Sequence, residues 1–414
     1  MPQQGQPGNG IQLFRNPHVA PLDHEYGKSL QNILSRRSYA MAKQAISQWT
    51  GYRPTPLYEL KALARSLDVG AVYYKDESSR FGLGSFKALG GAYAVNRLLL
   101  RELRRRLGNP ALDVADLARP ECQTIVRDIT VTCATDGNHG RSVAWGAQNA
   151  GCRCVIYIHE TVSKGREDAI AGYGATVVRV PGNYDDAVRR AAEDAAAHGY
   201  FVVSDTSYPG YMDVPKDVMQ GYSVMVQEAL DQIGDKGKPT HVFIQGGVGG
   251  LAAAVCAHLW ETLGPHRPKI IVVEPDKADC LFQSAVAGKP VAVTGELDTL
   301  MAGLACGEVS LLAWEILLPG AAAFMTIPDQ MALDAMRRLA QGGTGDIPIV
   351  AGESAVAGVA ASQAVAANDD WRQALGLDAT SRLLFFASEG DTDPQLYQRI
   401  VGKTASEVRA QEAV

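Results

Sequence analysis

Alternation constrains this chain more than any other feature. Short runs of β-branched and aromatic residues take turns with stretches of helical periodicity along most of its length. Residues 130–134, 154–158, 175–180 and 201–203 read as strands, with helices expected at 141–150, 163–173 and 185–198. Downstream, residues 241–244, 269–273 and 382–386 read as strands, with helices expected at 252–263, 331–339 and 354–367. Parallel strands need crossover connections, so this order predicts βαβ units and parallel sheets. At 414 residues the chain is too long for a typical single core, and two domains are expected. The reading is a large domain from residues 1–89 and 206–414, with a small α/β domain, residues 90–205, inserted in it. Residues 1–51 read as an irregular arm plus one helix. No separate C-terminal regulatory domain is expected.

Composition removes several function classes. The formal net charge is -6, which argues against a nucleic-acid-binding surface. No run is apolar enough to span a bilayer, so neither nucleic acid nor membrane is an expected partner. Residues 1–9 lack the charged and apolar regions of a secretory signal. The seven cysteines are odd in number and lack the spacing of a disulfide framework, so they read as thiols of a cytoplasmic protein. Cys152-Arg153-Cys154 opens a strand, where neighbouring side chains alternate faces and do not suit one metal. No metal site is expected.

Two segments carry chemistry. Gly82-Leu83-Gly84-Ser85-Phe86-Lys87 places one lysine beside a Gly/Ser turn, just after the strand-like residues 71–75. Gln245-Gly246-Gly247-Val248-Gly249-Gly250 joins an apolar strand to a helix far downstream. Glycines let a backbone approach a phosphate, and a helix N-terminus favours negative charge. No Gly-Lys-Ser/Thr follows, so this is not a P-loop. An amine nucleophile and a distant phosphate cradle together suggest an aldehyde cofactor carrying a phosphate. Pyridoxal 5'-phosphate (PLP) is such a cofactor, held by a lysine as an imine.

Three further segments supply polar groups. Thr135-Asp136-Gly137-Asn138-His139-Gly140 reads as a tight turn before a helix. Asp136 is either a carboxylate facing a substrate or a turn residue capping the helix. His139 reads as a packed hydrogen-bond donor. Asp205 follows a strand and points toward a ligand, or else belongs to an Asp-Thr-Ser turn. Ser388-Glu389-Gly390-Asp391-Thr392 follows the last strand.

In this order the segments resemble the tryptophan synthase β-like PLP enzymes, fold type II. Within that group they are most similar to the diaminopropionate ammonia-lyases. The resemblance runs from about Tyr52 to Tyr397 and includes the entry Thr55-Pro56-Leu57. It implies two doubly wound α/β domains with the active site in the cleft between them. It implies Lys87 as the Schiff-base lysine, and Gly246, Gly247, Val248, Gly249 and Gly250 as the phosphate loop. It places Asn138 against the cofactor ring oxygen, and a hydroxyl, Ser388 or alternatively Thr392, against the ring nitrogen. Relatives carry a small neutral residue where this chain has Asp136; that departure resembles the ammonia-lyases, whose substrate has a second amine. Asp205 resembles a second acidic substrate residue there.

The resulting expectation is α,β-elimination of 2,3-diaminopropionate, in both D and L forms, to pyruvate and two ammonia. The catalytic residues would be Lys87, Asp136 and Asp205, in a cytoplasmic homodimer with an amino acid substrate. The alternatives are a threonine or serine dehydratase on the same scaffold and a catalytically silent PLP-binding protein. A Rossmann-type nucleotide binder would use Gly246–Gly250 alone and leave Lys87 unexplained.

Overall fold

The structure, a computed structural model, describes residues 10–135, 137–295 and 297–411. In chain order the strands are β1 (Gln12–Arg15), β2 (Leu57–Glu59), β3 (Ala71–Asp76), β4 (Thr130–Ala134), β5 (Arg153–His159) and β6 (Thr176–Val180). They continue as β7 (Phe201–Val202), β8 (His241–Gln245), β9 (Lys269–Pro275), β10 (Ala321–Ile327) and β11 (Arg382–Ala387). The chain folds into two compact units. The first comprises Met1–Arg36, Pro54–Gly84 and Met225–Val414, and the second comprises Arg37–Arg53 and Ser85–Val224. Residues 90–205, the segment read as an inserted domain, lie wholly within the second unit.

The first unit is built on a sheet of order β1-β10-β9-β8-β11-β3-β2. Its five central strands are parallel, and β1 and β2 close the edges antiparallel. Every residue of β8 is buried, and β9 and β11 are buried beyond their first residue. Strands covered on both faces read as continuous apolar runs rather than as alternation, which made these three visible in the sequence. Phe243, Val273, Leu383 and Phe385 pack in one core with Ala335 and Met336 of helix Asp329–Gln341 and Val359 of helix Ala357–Ala366.

Two strands correct the sequence reading. Residues 1–51 were expected to form an irregular arm with one helix, yet β1 pairs along its full length with β10. β10 itself begins Ala-Ala-Ala, a composition that favours helix; burial between two strands overrides that preference.

The second unit has a fully parallel sheet, β6-β5-β4-β7. Helix Lys87–Leu107 packs on helix Asn138–Ala150 through small residues: a Cβ on Gly146 would stand 2.6 Å from the Ala92 Cα. Helix Asp213–Ile233 starts in this unit. Among the described residues, no helix is long and apolar enough to cross a membrane.

Candidate active site

In the second unit, Lys87 opens its helix and donates from Nζ to Asp205 Oδ2 at 2.6 Å. Both side chains retain some exposure, 21% and 18%. Asp205 lies three residues past β7 on backbone fixed by Tyr211. The Tyr211 hydroxyl accepts the Ser204 N–H at 3.0 Å and donates to the Val202 carbonyl at 2.8 Å. Burial is the largest single influence and would raise the Asp205 pKa, but the Lys87 charge, the His139 ring and the hydrogen bonds it accepts together hold the carboxyl well below the usual carboxylate range.

His139 sits behind this pair. Its Nε2 meets the Val203 carbonyl at 2.7 Å, and a carbonyl only accepts, so Nε2 carries the proton. Nδ1 is then an acceptor 3.9 Å from Asp205 Oδ2 and makes no hydrogen bond. Burial lowers the His139 pKa, with Asp205 opposing.

Thr135 shapes the segment before His139. Its Oγ1 accepts the N–H groups of Gly137 and Gly140, both at 3.0 Å. This cap starts the helix at Asn138, three residues before the Arg141 expected from the sequence, so Asn138 and His139 lie in the first helical turn. A Cβ at Gly140 would collide with the Thr135 side chain, which accounts for a glycine there. Asn138 is half-buried. Asp136 lies outside the described residues.

Tyr222 was missed in the sequence, where it looks like an ordinary core aromatic. Its ring packs 4.6 Å from that of Phe86, and the Lys87 Nζ lies 5.5 Å from the Phe86 ring centre.

In the first unit, the predicted phosphate loop joins β8 to helix Gly250–Leu263. Gly247 and Gly249 adopt φ of +60° and +97°, a region that favours glycine. A Cβ on Gly246 would stand 2.8 Å from Glu274 Cγ. No side chain caps the helix, so its leading N–H groups suit an anion. Glu274 underlies the turn; its carboxylate accepts the N–H groups of Leu281 (3.0 Å) and Phe282 (2.7 Å), and burial raises its pKa to about 8. Ser388 is buried just past β11, the neighbour of β8 in the sheet. Thr392 is half-buried and turns its hydroxyl to Glu389 at 3.4 Å.

The first unit also holds a cluster of buried charge. Lys75 donates to Glu228 (2.9 Å), the Thr55 carbonyl (2.7 Å) and Gln232 (2.9 Å). Arg80 grips Glu77 with two hydrogen bonds of 2.8 Å, and Glu228 with two of 3.0 and 2.7 Å. The four charged side chains are at most 1% exposed. Burial alone would raise the Glu228 pKa, but Arg80 and Lys75 bring it down to about 2. An open groove of about 590 Å³ at the amino ends of β8, β9 and β11 is a poorer site. Its Arg267, Lys269 and Arg382 side chains are spent on backbone carbonyls.

Unit by unit, these residues fit PLP. The uncapped glycine turn suits its phosphate, and Lys87, a partly exposed amine beside a carboxylate, suits its aldehyde. Among the described residues, no group of three or more His, Cys, Asp or Glu could hold a metal.

The comparisons with known proteins agree with this chemistry. The chain belongs to the pyridoxal-phosphate dependent enzyme family, whose sequence model matches residues 48–388. It is 40% identical over 374 residues to the diaminopropionate ammonia-lyase of Escherichia coli K12, covering 89% of this chain and 92% of that protein. It is 40% identical over 358 residues to the diaminopropionate ammonia-lyase of Salmonella typhimurium LT2, covering 84% and 88%. Its fold is similar to a crystal structure of the Escherichia coli enzyme in complex with an aminoacrylate-PLP azomethine reaction intermediate. The TM-score is 0.84 and the identity 37%, over 97% of each chain.

Proposed function

We propose that this chain is a PLP-dependent ammonia-lyase that eliminates the β-amine of 2,3-diaminopropionate, yielding pyruvate and two ammonia. The observation that carries the reading is the Lys87–Asp205 pair, a partly exposed amine held at 2.6 Å by a carboxylate with no other strong cation among its described neighbours. The identity to two diaminopropionate ammonia-lyases supports the choice of substrate.

When bound, the cofactor supplies the electron sink that makes the substrate's Cα–H acidic. Lys87 would be its covalent anchor. The turn Gly246–Gly250 would hold the phosphate through backbone N–H groups, Asn138 would serve the ring oxygen, and Ser388 the ring nitrogen. A neutral hydroxyl at that nitrogen damps the sink and favours elimination over transamination. Lys87 would take the substrate's Cα proton on one face, and Asp136 would serve as the base on the other. That division allows both D and L substrates to react. Asp205 would then hold on Lys87 the proton it has taken, and attract the substrate's second amine. The β C–N bond breaks with its electron pair on nitrogen, and the proton carried by Lys87 completes the leaving ammonia. A cytoplasmic homodimer belongs to the same reading.

The test compares 2-oxo acid formation from D- and L-2,3-diaminopropionate with that from L-serine and L-threonine, in wild type and Asp136→Asn. Pyruvate from diaminopropionate far above product from the hydroxy amino acids supports the proposal. Selective loss with one enantiomer in Asp136→Asn makes Asp136 the base for that isomer. Faster turnover of serine or threonine overturns it in favour of a dehydratase.

A further inference from the structure

The Tyr222 hydroxyl is an anomaly. It is fully enclosed and meets no hydrogen-bond partner at standard geometry. A buried hydroxyl without a partner costs free energy that phenylalanine would avoid. Yet the packing around it is arranged to bring it in. Helix Asp213–Ile233 approaches helix Lys87–Leu107 through glycines: a Cβ on Gly221 would collide with the Leu89 carbonyl, and a Cβ on Gly90 with the Tyr222 ring itself. Arg97 and Arg101 of one helix pair with Asp217 of the other and hold the approach. The Tyr222 ring packs 4.6 Å from that of Phe86, whose centre lies 5.5 Å from Lys87 Nζ, so the hydroxyl lies close enough to feel the charges of Lys87 and Asp205.

We propose that Tyr222 is a positioning residue for Lys87: its hydroxyl is a second anchor beside Asp205 that aims the amine once it leaves the cofactor. This inference rests on the function proposed above. During elimination Lys87 alternates between amine and ammonium. The ammonium donates to Asp205 and to the Tyr222 oxygen, so the Cα proton it has taken is held in a fixed direction until the leaving β-amine accepts it. A hydroxyl beside an ammonium favours the charged form. Burial, the larger effect, raises the Tyr222 pKa, so the phenol stays neutral and serves as a hydrogen-bonding group.

Tyr222→Phe keeps the ring on Phe86 and removes only the oxygen. The expected kcat is lower by about tenfold, the effect of one ordinary hydrogen bond, with KM little changed. The melting temperature is expected to stay level or rise, because a partnerless buried hydroxyl is gone. An independent readout is the pH dependence of PLP capture by the apoprotein, followed by absorbance. Its midpoint is expected to move to lower pH, by roughly half a pH unit, because the Lys87 ammonium loses an acceptor. Wild-type kcat and midpoint in Tyr222→Phe would overturn the proposal. So would a melting temperature that falls in step with activity, the mark of a purely structural residue. Wild type that captures no PLP, or leaves diaminopropionate unturned, would instead sink the functional reading.

Discussion

Two ion-pair sites in this chain use the same side-chain types to opposite ends. The cluster of Lys75, Glu77, Arg80 and Glu228 is at most 1% exposed. Its members saturate one another: all three Lys75 protons are bonded, and Arg80 grips two carboxylates at once. The Lys87–Asp205 pair is shorter, at 2.6 Å, but keeps about a fifth of its surface, and its neighbours His139 Nδ1 and Tyr222 Oη lack hydrogen-bond partners. A saturated cluster has nothing to offer a ligand and serves the fold. A partly exposed pair beside unpartnered polar atoms remains open to a ligand and can exchange partners, as a reactive amine must. Charge burial alone does not mark a site; residual exposure beside unpartnered polar atoms does.

Substitutions can break the comparison. The largest expected effect is on activity: Lys87→Ala should lower kcat by roughly 10³-fold or more. Its melting temperature should change little, since one partly exposed pair is lost. Next in size, Arg80→Met should cost about 3–5 kcal/mol of stability by leaving Glu77 and Glu228 buried without their partner, as read from urea unfolding. Were Arg80→Met to unfold normally and merely slow the reaction, the cluster would be part of the site and the distinction would fail.

pH sharpens the contrast. Asp205 and Glu228 are both held below their ordinary values, so each adds stability that is present above about pH 4 to 5. That stability is lost as pH falls, through about 2 for Glu228 and lower for Asp205. Glu274 behaves oppositely. Its folded pKa of about 8 exceeds the ordinary 4.5, so its contribution is complete below about 4.5 and lost as pH rises through 8. Glu274→Gln should therefore flatten the alkaline side of a stability-against-pH curve, while Asp205→Asn flattens the acid side. Thermal melts across pH 3 to 9 check both. The smallest expected effect separates the two candidate hydroxyls. Ser388→Ala should slow elimination several-fold, while Thr392→Val, whose hydroxyl turns toward Glu389, should leave the rate near wild type.

Much of this was legible because the chemistry is local. Lys87 and the turn Gly246–Gly250 each sit in a short segment whose glycines and flanking strand announce a ligand. The central strands were legible because they are buried on both faces. The Lys87–Asp205 bond spans 118 residues, and only the tertiary fold creates it. Arg80 and Glu228 are 148 residues apart, and no local pattern links them. β10 was hidden by its alanines, and the early start of helix Asn138–Ala150 by a capping hydroxyl three residues upstream. Tyr222 carries no sequence signal at all; its interest arises from the close packing of its ring on Gly90.

The most direct test of the contrast between the two ion-pair sites is reductive trapping. The protein would be loaded with PLP, reduced with borohydride, digested and mapped by mass spectrometry. A pyridoxyl group on Lys87, with Lys75 unmodified, is the predicted result. Labelling of Lys75 or another lysine in place of Lys87, or no stable adduct, would contradict it.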